Sequence, residues 1–262
     1  MITLIGHGYI GQEIYKRMEV QSYFPIEWID HKSKIPSGTQ LIINAAGFTG
    51  SPNVDACEKY REETIDGNVY WPLKLELENH QTPIIHISSG CVYTGYEKEY
   101  TEEDEPNFNF NNGSFYSGSK SLGQKLLSPF MNKSYLLRIR MPFGSLRHPK
   151  NFLTKLENYN KLVDFRNSLS NVDDISKTVE FFAINKPTPG IYNLVNPGSI
   201  TTREIVDMMG LSKEWFTHEE FASAVIAPRS NCVLSSEKLS NIISLRSIDD
   251  ALTHTIQEYN NV

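Results

Sequence analysis

Met1-Ile2-Thr3-Leu4-Ile5-Gly6-His7-Gly8-Tyr9-Ile10-Gly11 opens the chain, and its reading decides the fold. Ile2 to Ile5 is a short apolar run of the kind that forms a buried strand, and Ile10 to Met18 has helical periodicity. Between them stands G-x-G-x-x-G. Strand, glycine turn and helix in this order give the pattern its meaning. Gly6 and Gly8 let the chain turn sharply and approach a pyrophosphate, while Gly11 permits close helix–strand packing. Tyr9 and Ile10 begin the helix, whose first N–H groups and positive dipole end attract an anion. These five residues are the candidate dinucleotide contacts.

The alternation continues outward from that turn. Ile26 to Asp30 reads as the second strand, and Asp30 lies nineteen residues after Gly11, where an acid can accept from the adenosine ribose hydroxyls. Such an acid favours NADH and repels a 2′-phosphate. His31, Lys32 and Lys34 follow at once and offset it, so the choice between NADPH and NADH stays open. Leu41 to Ile43 is a third strand ending in Asn44-Ala45-Ala46-Gly47, small residues that let a coenzyme lie close to the backbone. A single helical stretch is expected from about Asn53 to His80, with Asn68 inside it bracing the strand-end loops.

Ile84-Ile85-His86-Ile87-Ser88-Ser89 then reads as a buried strand ending in small polar residues, and Tyr135 to Arg140 as a fifth. Together these elements predict an α/β fold with a doubly wound parallel sheet. Residues 1–143 form its nucleotide-binding domain. Residues 144–262 form a small C-terminal substrate lobe interleaved with the last sheet elements. Helices are expected near 151–160, 172–184, 202–209 and 249–259, with short strands near 162–165 and 191–195.

Tyr116-Ser117-Gly118-Ser119-Lys120 carries the chemistry. A Tyr and a Lys four apart share one helix face, and an ammonium there draws the phenol toward the working pH range. A Ser89 hydroxyl at the strand end would hold a substrate oxygen beside that phenol. The three together form a proton-relay site for a carbonyl–alcohol pair. The same spacing occurs in Tyr70 to Lys74, but that copy encloses Trp71-Pro72 and precedes the Ser-ended strand. Order along the chain selects Tyr116.

Composition narrows the partners. A formal charge of -6 and a pI near 5.7 argue against nucleic-acid and membrane surfaces. No apolar run approaches the ~20 residues that span a bilayer. Three scattered cysteines, Cys57, Cys91 and Cys232, have neither metal-ligand spacing nor the parity of a disulfide framework, which points to a reducing cytosol and to no metal.

These motifs, in this order, resemble the extended short-chain dehydrogenase/reductases of the Rossmann type. Tyr100-Thr101-Glu102-Glu103-Asp104-Glu105-Pro106 resembles the dTDP-4-dehydrorhamnose reductases. The stretches at 47–55, 89–93, 113–117, 138–142, 149–155 and 225–231 are similar to the bifunctional UDP-4-keto-6-deoxyglucose 3,5-epimerase/4-reductases that complete UDP-L-rhamnose. The resemblance implies catalysis by Ser89, Tyr116 and Lys120 for reduction, and by Cys91 and Lys155 for epimerisation. It also implies a UDP- or dTDP-sugar bound by Ser89, Gly90, Cys91, Asn151 and Arg229, and a homodimer. For Arg229 a structural salt bridge is the alternative. Gly90 and Cys91 stand where the related 4,6-dehydratases have an Asp-Glu pair, so dehydration is not expected. A plain 4-keto reductase, and a non-catalytic nucleotide sensor on the same fold, are the competing readings.

Overall fold

The computed structural model describes residues 1–21 and 25–261. Its elements run β1 (Ile2–Ile5), α1 (Tyr9–Gln21), β2 (Ile26–Ile29), β3 (Leu41–Asn44), α2 (Ala56–Lys59), α3 (Arg61–Ile65), a π-helical turn (Asp66–Tyr70), α4 (Trp71–Glu78), β4 (Ile84–Ser89), α5 (Phe115–Leu127) and β5 (Tyr135–Ile139). After these come α6 (Phe152–Asn158), β6 (Lys161–Val163), β7 (Arg166–Asn167), α7 (Val172–Asn185), β8 (Gly190–Asn193), β9 (Ile200–Thr201), α8 (Thr202–Met208), β10 (Glu214–Phe216), α9 (His218–Ala224), α10 (Glu237–Ser240) and α11 (Ile248–Asn260).

Six strands form one sheet in the order β2-β1-β3-β4-β5-β8, every pair parallel. Parallel strands must be covered on both faces. On one face α1 and α7 bury Ile14, Met18, Val179 and Phe182, and Arg17 Nε donates to Glu180 across them at 2.7 Å. On the other, Trp71 and Leu75 of α4 pack on Ile5, Ile42 and Ile84. The order reverses beside β1, so the crevice at the carboxyl ends of the strands is where a ligand fits. Ser89 pairs in register with Ile139 at that edge.

A second core lies in the C-terminal part, where Phe143, Leu153, Leu156, Ile205, Leu252 and Tyr259 pack together. The helix expected from Asn53 to His80 is instead broken into α2, α3, the π turn and α4. The interruption falls at Tyr60, whose backbone leaves the helical region (φ -100°, ψ 62°), and from Arg61 to Glu78 the segment is continuous. Pro72 accounts for the π turn, since it has no N–H to give the Asn68 carbonyl four residues before it. The freed carbonyl packs on α5, where a Cβ at Gly123 would stand 2.3 Å from Asn68 O. Among the described residues no helix is long and apolar enough to cross a membrane.

Candidate active site

The glycine loop has the form a coenzyme needs. Gly6 has φ 102°, and a Cβ there would meet Ala46 N at 2.7 Å; a Cβ at Gly11 would meet Gly6 O at 2.1 Å. Both must be glycine. Gly8 faces open space, and the first turn of α1 carries no acid to neutralise its N-terminus. This cradle fits a pyrophosphate. The Tyr9 ring is buried and stacked on His148 with centroids 4.5 Å apart, and Ile10 packs partly buried on the core, so only their backbone is left to face the cradle. Asn44 likewise turns inward: its Oδ1 accepts from Ala46 N, and its amide approaches buried His86 at 3.3 Å. Ala45, Ala46 and Gly47 follow as the strand-end loop, and Gly47 abuts the Lys120 ammonium, which a Cβ would approach to 3.1 Å.

Helix α5 begins where the Ser114 hydroxyl accepts from Ser117 N at 3.1 Å and Phe115 N donates to Glu58 Oε1 at 2.6 Å. Asn68 ties α5 to the loop after β3, donating to Ser119 Oγ at 3.0 Å and to Phe48 O at 2.8 Å. That frame carries Tyr116 and Lys120 on one face, both buried. Ser89 Oγ accepts from Cys91 N at 3.1 Å, and the Ser89 hydroxyl interacts with the Tyr116 phenol.

The phenol is not drawn down as the spacing suggested. Burial holds it well above the ordinary tyrosine range; Cys91 adds to the rise, while Ser89 and Arg140 oppose it. Lys120 is itself pushed down to about 8 by burial, and its ammonium stands 6.0 Å from the Tyr116 ring centroid. Desolvation outweighs the one-turn attraction.

Cys91 lies between two charged regions. Arg140 Nη1 approaches its Sγ at 3.8 Å and donates to Gly90 O at 3.1 Å and Ser230 Oγ at 2.8 Å. Gly90 is confined by this arginine, since a Cβ would stand 2.9 Å from Arg140 Cγ. On the other side Lys155 of α6 interacts electrostatically with Cys91; burial and neighbouring Lys150 push its pKa down to about 8.

Two expected substrate contacts are engaged elsewhere. Asn151 is fully buried as the N-cap of α6, accepting from Leu153 N and donating to Gly144 O and Leu146 O. Its amide holds the β5–α6 connection and is not available to a sugar. Arg229 pairs with Asp55 through both terminal guanidinium nitrogens, at 2.7 and 2.8 Å, so the salt bridge is formed in this structure. Arg140, conversely, went unassigned in the sequence reading. It is buried directly after β5, where a guanidinium is costly unless its donors find partners.

The fold and site together define a dinucleotide-dependent short-chain dehydrogenase/reductase architecture of the extended type. Comparison with known proteins narrows it. The family model of the RmlD substrate binding domain matches residues 31–261, and the chain belongs to that family. It is 37% identical over 236 residues to a bifunctional dTDP-4-dehydrorhamnose 3,5-epimerase/dTDP-4-dehydrorhamnose reductase of Arabidopsis thaliana, covering 84% of this chain and 77% of the relative. A trifunctional UDP-glucose 4,6-dehydratase/UDP-4-keto-6-deoxy-D-glucose 3,5-epimerase/UDP-4-keto-L-rhamnose-reductase of the same plant is 36% identical over 228 residues; the match takes in 80% of this chain but spans only 33% of that protein. The crystal structure of the L780 UDP-rhamnose synthase from Acanthamoeba polyphaga mimivirus superposes with a TM-score of 0.89 at 26% identity, covering 98% of this chain and 99% of that one.

Proposed function

We propose that the chain is an NAD(P)H-dependent 4-keto reductase of nucleotide sugars that also inverts C3 and C5 in the same pocket, turning UDP-4-keto-6-deoxy-D-glucose into UDP-L-rhamnose. The observation that carries this reading is Cys91 beside the strand-end Ser89, close enough to both Tyr116 and Lys155 to couple with them electrostatically. A reductase alone needs neither Cys91 nor Lys155. The two plant relatives named above, whose names pair epimerase with reductase, support the same reading.

The C4 ketone acidifies the hydrogens on C3 and C5, because the carbanion left behind delocalises onto the carbonyl oxygen. Cys91 takes the proton on one face. Lys155, with a pKa of about 8, returns one from the other. Ser89 and the neutral Tyr116 hydroxyl hold the developing oxyanion. A reduced nicotinamide coenzyme, when bound, would supply hydride to C4; after both centres are inverted, Tyr116 gives its proton to the C4 oxygen. The raised phenol pKa suits that step: the group stays protonated until an alkoxide forms beside it. Lys120 sits against Gly47, where it would hold the coenzyme ribose.

The test follows deuterium uptake at C3 and C5 of UDP-4-keto-6-deoxyglucose by NMR in D2O, alongside oxidation of NADH or NADPH. Wild type is expected to exchange both positions and release rhamnose product, while Cys91→Ala and Lys155→Ala lose the exchange. Coenzyme oxidation without exchange would leave a simple reductase.

A further inference from the structure

The turn after β2 places an acid, an imidazole and an ammonium where a coenzyme's adenosine ribose would lie. Asp30 is 79% exposed at its side chain, and its Oδ1 faces His7 Nδ1 of the glycine loop at 3.1 Å. An acid in this place accepts from the 2′- and 3′-hydroxyls, whereas a 2′-phosphate requires a cation instead. Lys32 is the cation within reach in sequence, and the His31 ring is a further donor beside it. Both are turned away. Lys32 Nζ lies 2.7 Å from Asp66 Oδ2, and His31 Nε2 lies 3.7 Å from the same oxygen.

Two further features hold that arrangement. The Lys32 backbone has φ 72°, in the left-handed region that a lysine seldom adopts, and the turn closes with Ser33 N donating to Asp30 O at 3.2 Å. The His31 ring stands edge-on to Trp71, with centroids 5.8 Å apart. Asp66 opens the π turn and Trp71 opens α4, so the broken helix itself supplies both anchors. Lys34 lies beyond the turn and is exposed.

We propose that Asp66 selects the coenzyme: by holding Lys32 and His31 it leaves Asp30 facing the ribose with only His7 beside it, and the site takes a dinucleotide with a free 2′-hydroxyl over one with a 2′-phosphate. This rests on the coenzyme reading given under Proposed function and sharpens it to NADH. A phosphate dianion next to Asp30 is repelled, and the cation that would receive it is already paired with a carboxylate.

The experiment is calorimetric titration of the full chain with NADH and, separately, NADPH, with no sugar present. Wild type is expected to bind NADH more tightly. Asp66→Asn, which is nearly isosteric, should tighten NADPH roughly five- to tenfold as Lys32 becomes free, a change on the scale of one exposed charge pair. NADH affinity should hold within about twofold, which also reports an intact fold. Adding Lys32→Ala to Asp66→Asn should remove the gain. Equal or tighter NADPH binding by wild type, or an unchanged NADPH:NADH ratio in Asp66→Asn, would overturn the proposal. Failure of wild type to bind either coenzyme would overturn the coenzyme reading itself and this inference with it.

Discussion

Two copies of Tyr-x-x-x-Lys sit on neighbouring helical segments and have opposite fates. Tyr70 is 56% exposed at the end of the π turn, and Lys74 on α4 meets only Glu78, at 3.8 Å on the surface. Tyr116 and Lys120 on α5 are 8% and 9% exposed and face the carboxyl ends of β3 and β4. The spacing is the same, and so is the ability to share a helix face. Which face is buried differs. In the first segment Trp71 and Leu75 turn onto the sheet and leave Tyr70 and Lys74 outward, whereas Gly123 lets α5 close onto Asn68 with Tyr116 and Lys120 facing inward. A motif becomes a site when packing removes its water, because only then do the two groups feel each other and the substrate more than the solvent.

The largest effect should separate the copies by rate. Tyr116→Phe is expected to lower kcat for keto-sugar reduction by about 10²- to 10⁴-fold, the range for losing a positioned proton donor. Tyr70→Phe should stay within about twofold, as exposed substitutions do. Steady-state NAD(P)H oxidation measures both, and comparable losses would dissolve the distinction.

Stability should separate the lysines next, in the opposite sense. Burial lowers the Lys120 pKa from 10.5 to about 8. The unfolded chain therefore binds the additional proton between those values, so stability rises with pH across that window, and at pH 7 the folded state holds the whole penalty. The shift is worth ~3 kcal/mol at 1.36 kcal/mol per pH unit. Lys120→Met should thus raise the thermal midpoint of the coenzyme-free protein at pH 7 by several degrees while abolishing reduction. Lys74→Met should shift it by less than about 0.5 kcal/mol. A midpoint lowered by Lys120→Met would show that its ammonium stabilises the fold.

The same argument reaches Lys155. Its ammonium form is the proton donor, so deuterium uptake should fall about tenfold per pH unit as pH rises above about 8. Lys150→Met removes the neighbouring cation and should move that limb to higher pH. A limb unmoved by Lys150→Met would place the titrating group elsewhere. The smallest effect belongs to the Asp55–Arg229 pair, in which the guanidinium holds the Asp55 carboxyl below the usual carboxylate range. Its stabilisation is present above the unfolded carboxyl pKa and is lost as pH falls through the lower folded value. Asp55→Asn should cost about 1 kcal/mol at pH 7 by urea melting, with little effect on coenzyme binding.

The sheet, its glycine turn and the Ser89–Tyr116–Lys120 order were legible because they are local. Apolar runs of four to six residues, a glycine pattern and a helical spacing are each complete within one element. Asn68 was also read correctly as a brace. The single helix from 53 to 80 was not: its interruption at Tyr60 went unread, and Pro72, which accounts for the π turn, was weighed as part of a rejected motif rather than as a missing donor. Asn151 and Arg229 enter as substrate contacts through the resemblance, and their hydrogen bonds to Gly144, Leu146 and Asp55 have no signature in the sequence. Arg140 was passed over because an arginine at a strand end has no local signature; its meaning lies in Gly90, Cys91 and Ser230, which the chain brings from two distant segments.

By itself, then, the sequence determined which elements form, in what order, and which polar residues stand at strand ends. These follow from periodicity and from the steric demands of glycine and proline, which act over a few residues. Only the tertiary structure decided which Tyr–Lys pair loses its water, that the Arg140 guanidinium lies beside Cys91, and that Asp66 holds Lys32 and His31 next to Asp30. Each of those depends on desolvation and charge pairing between residues far apart in the chain, and such terms have no value until the fold sets the distances.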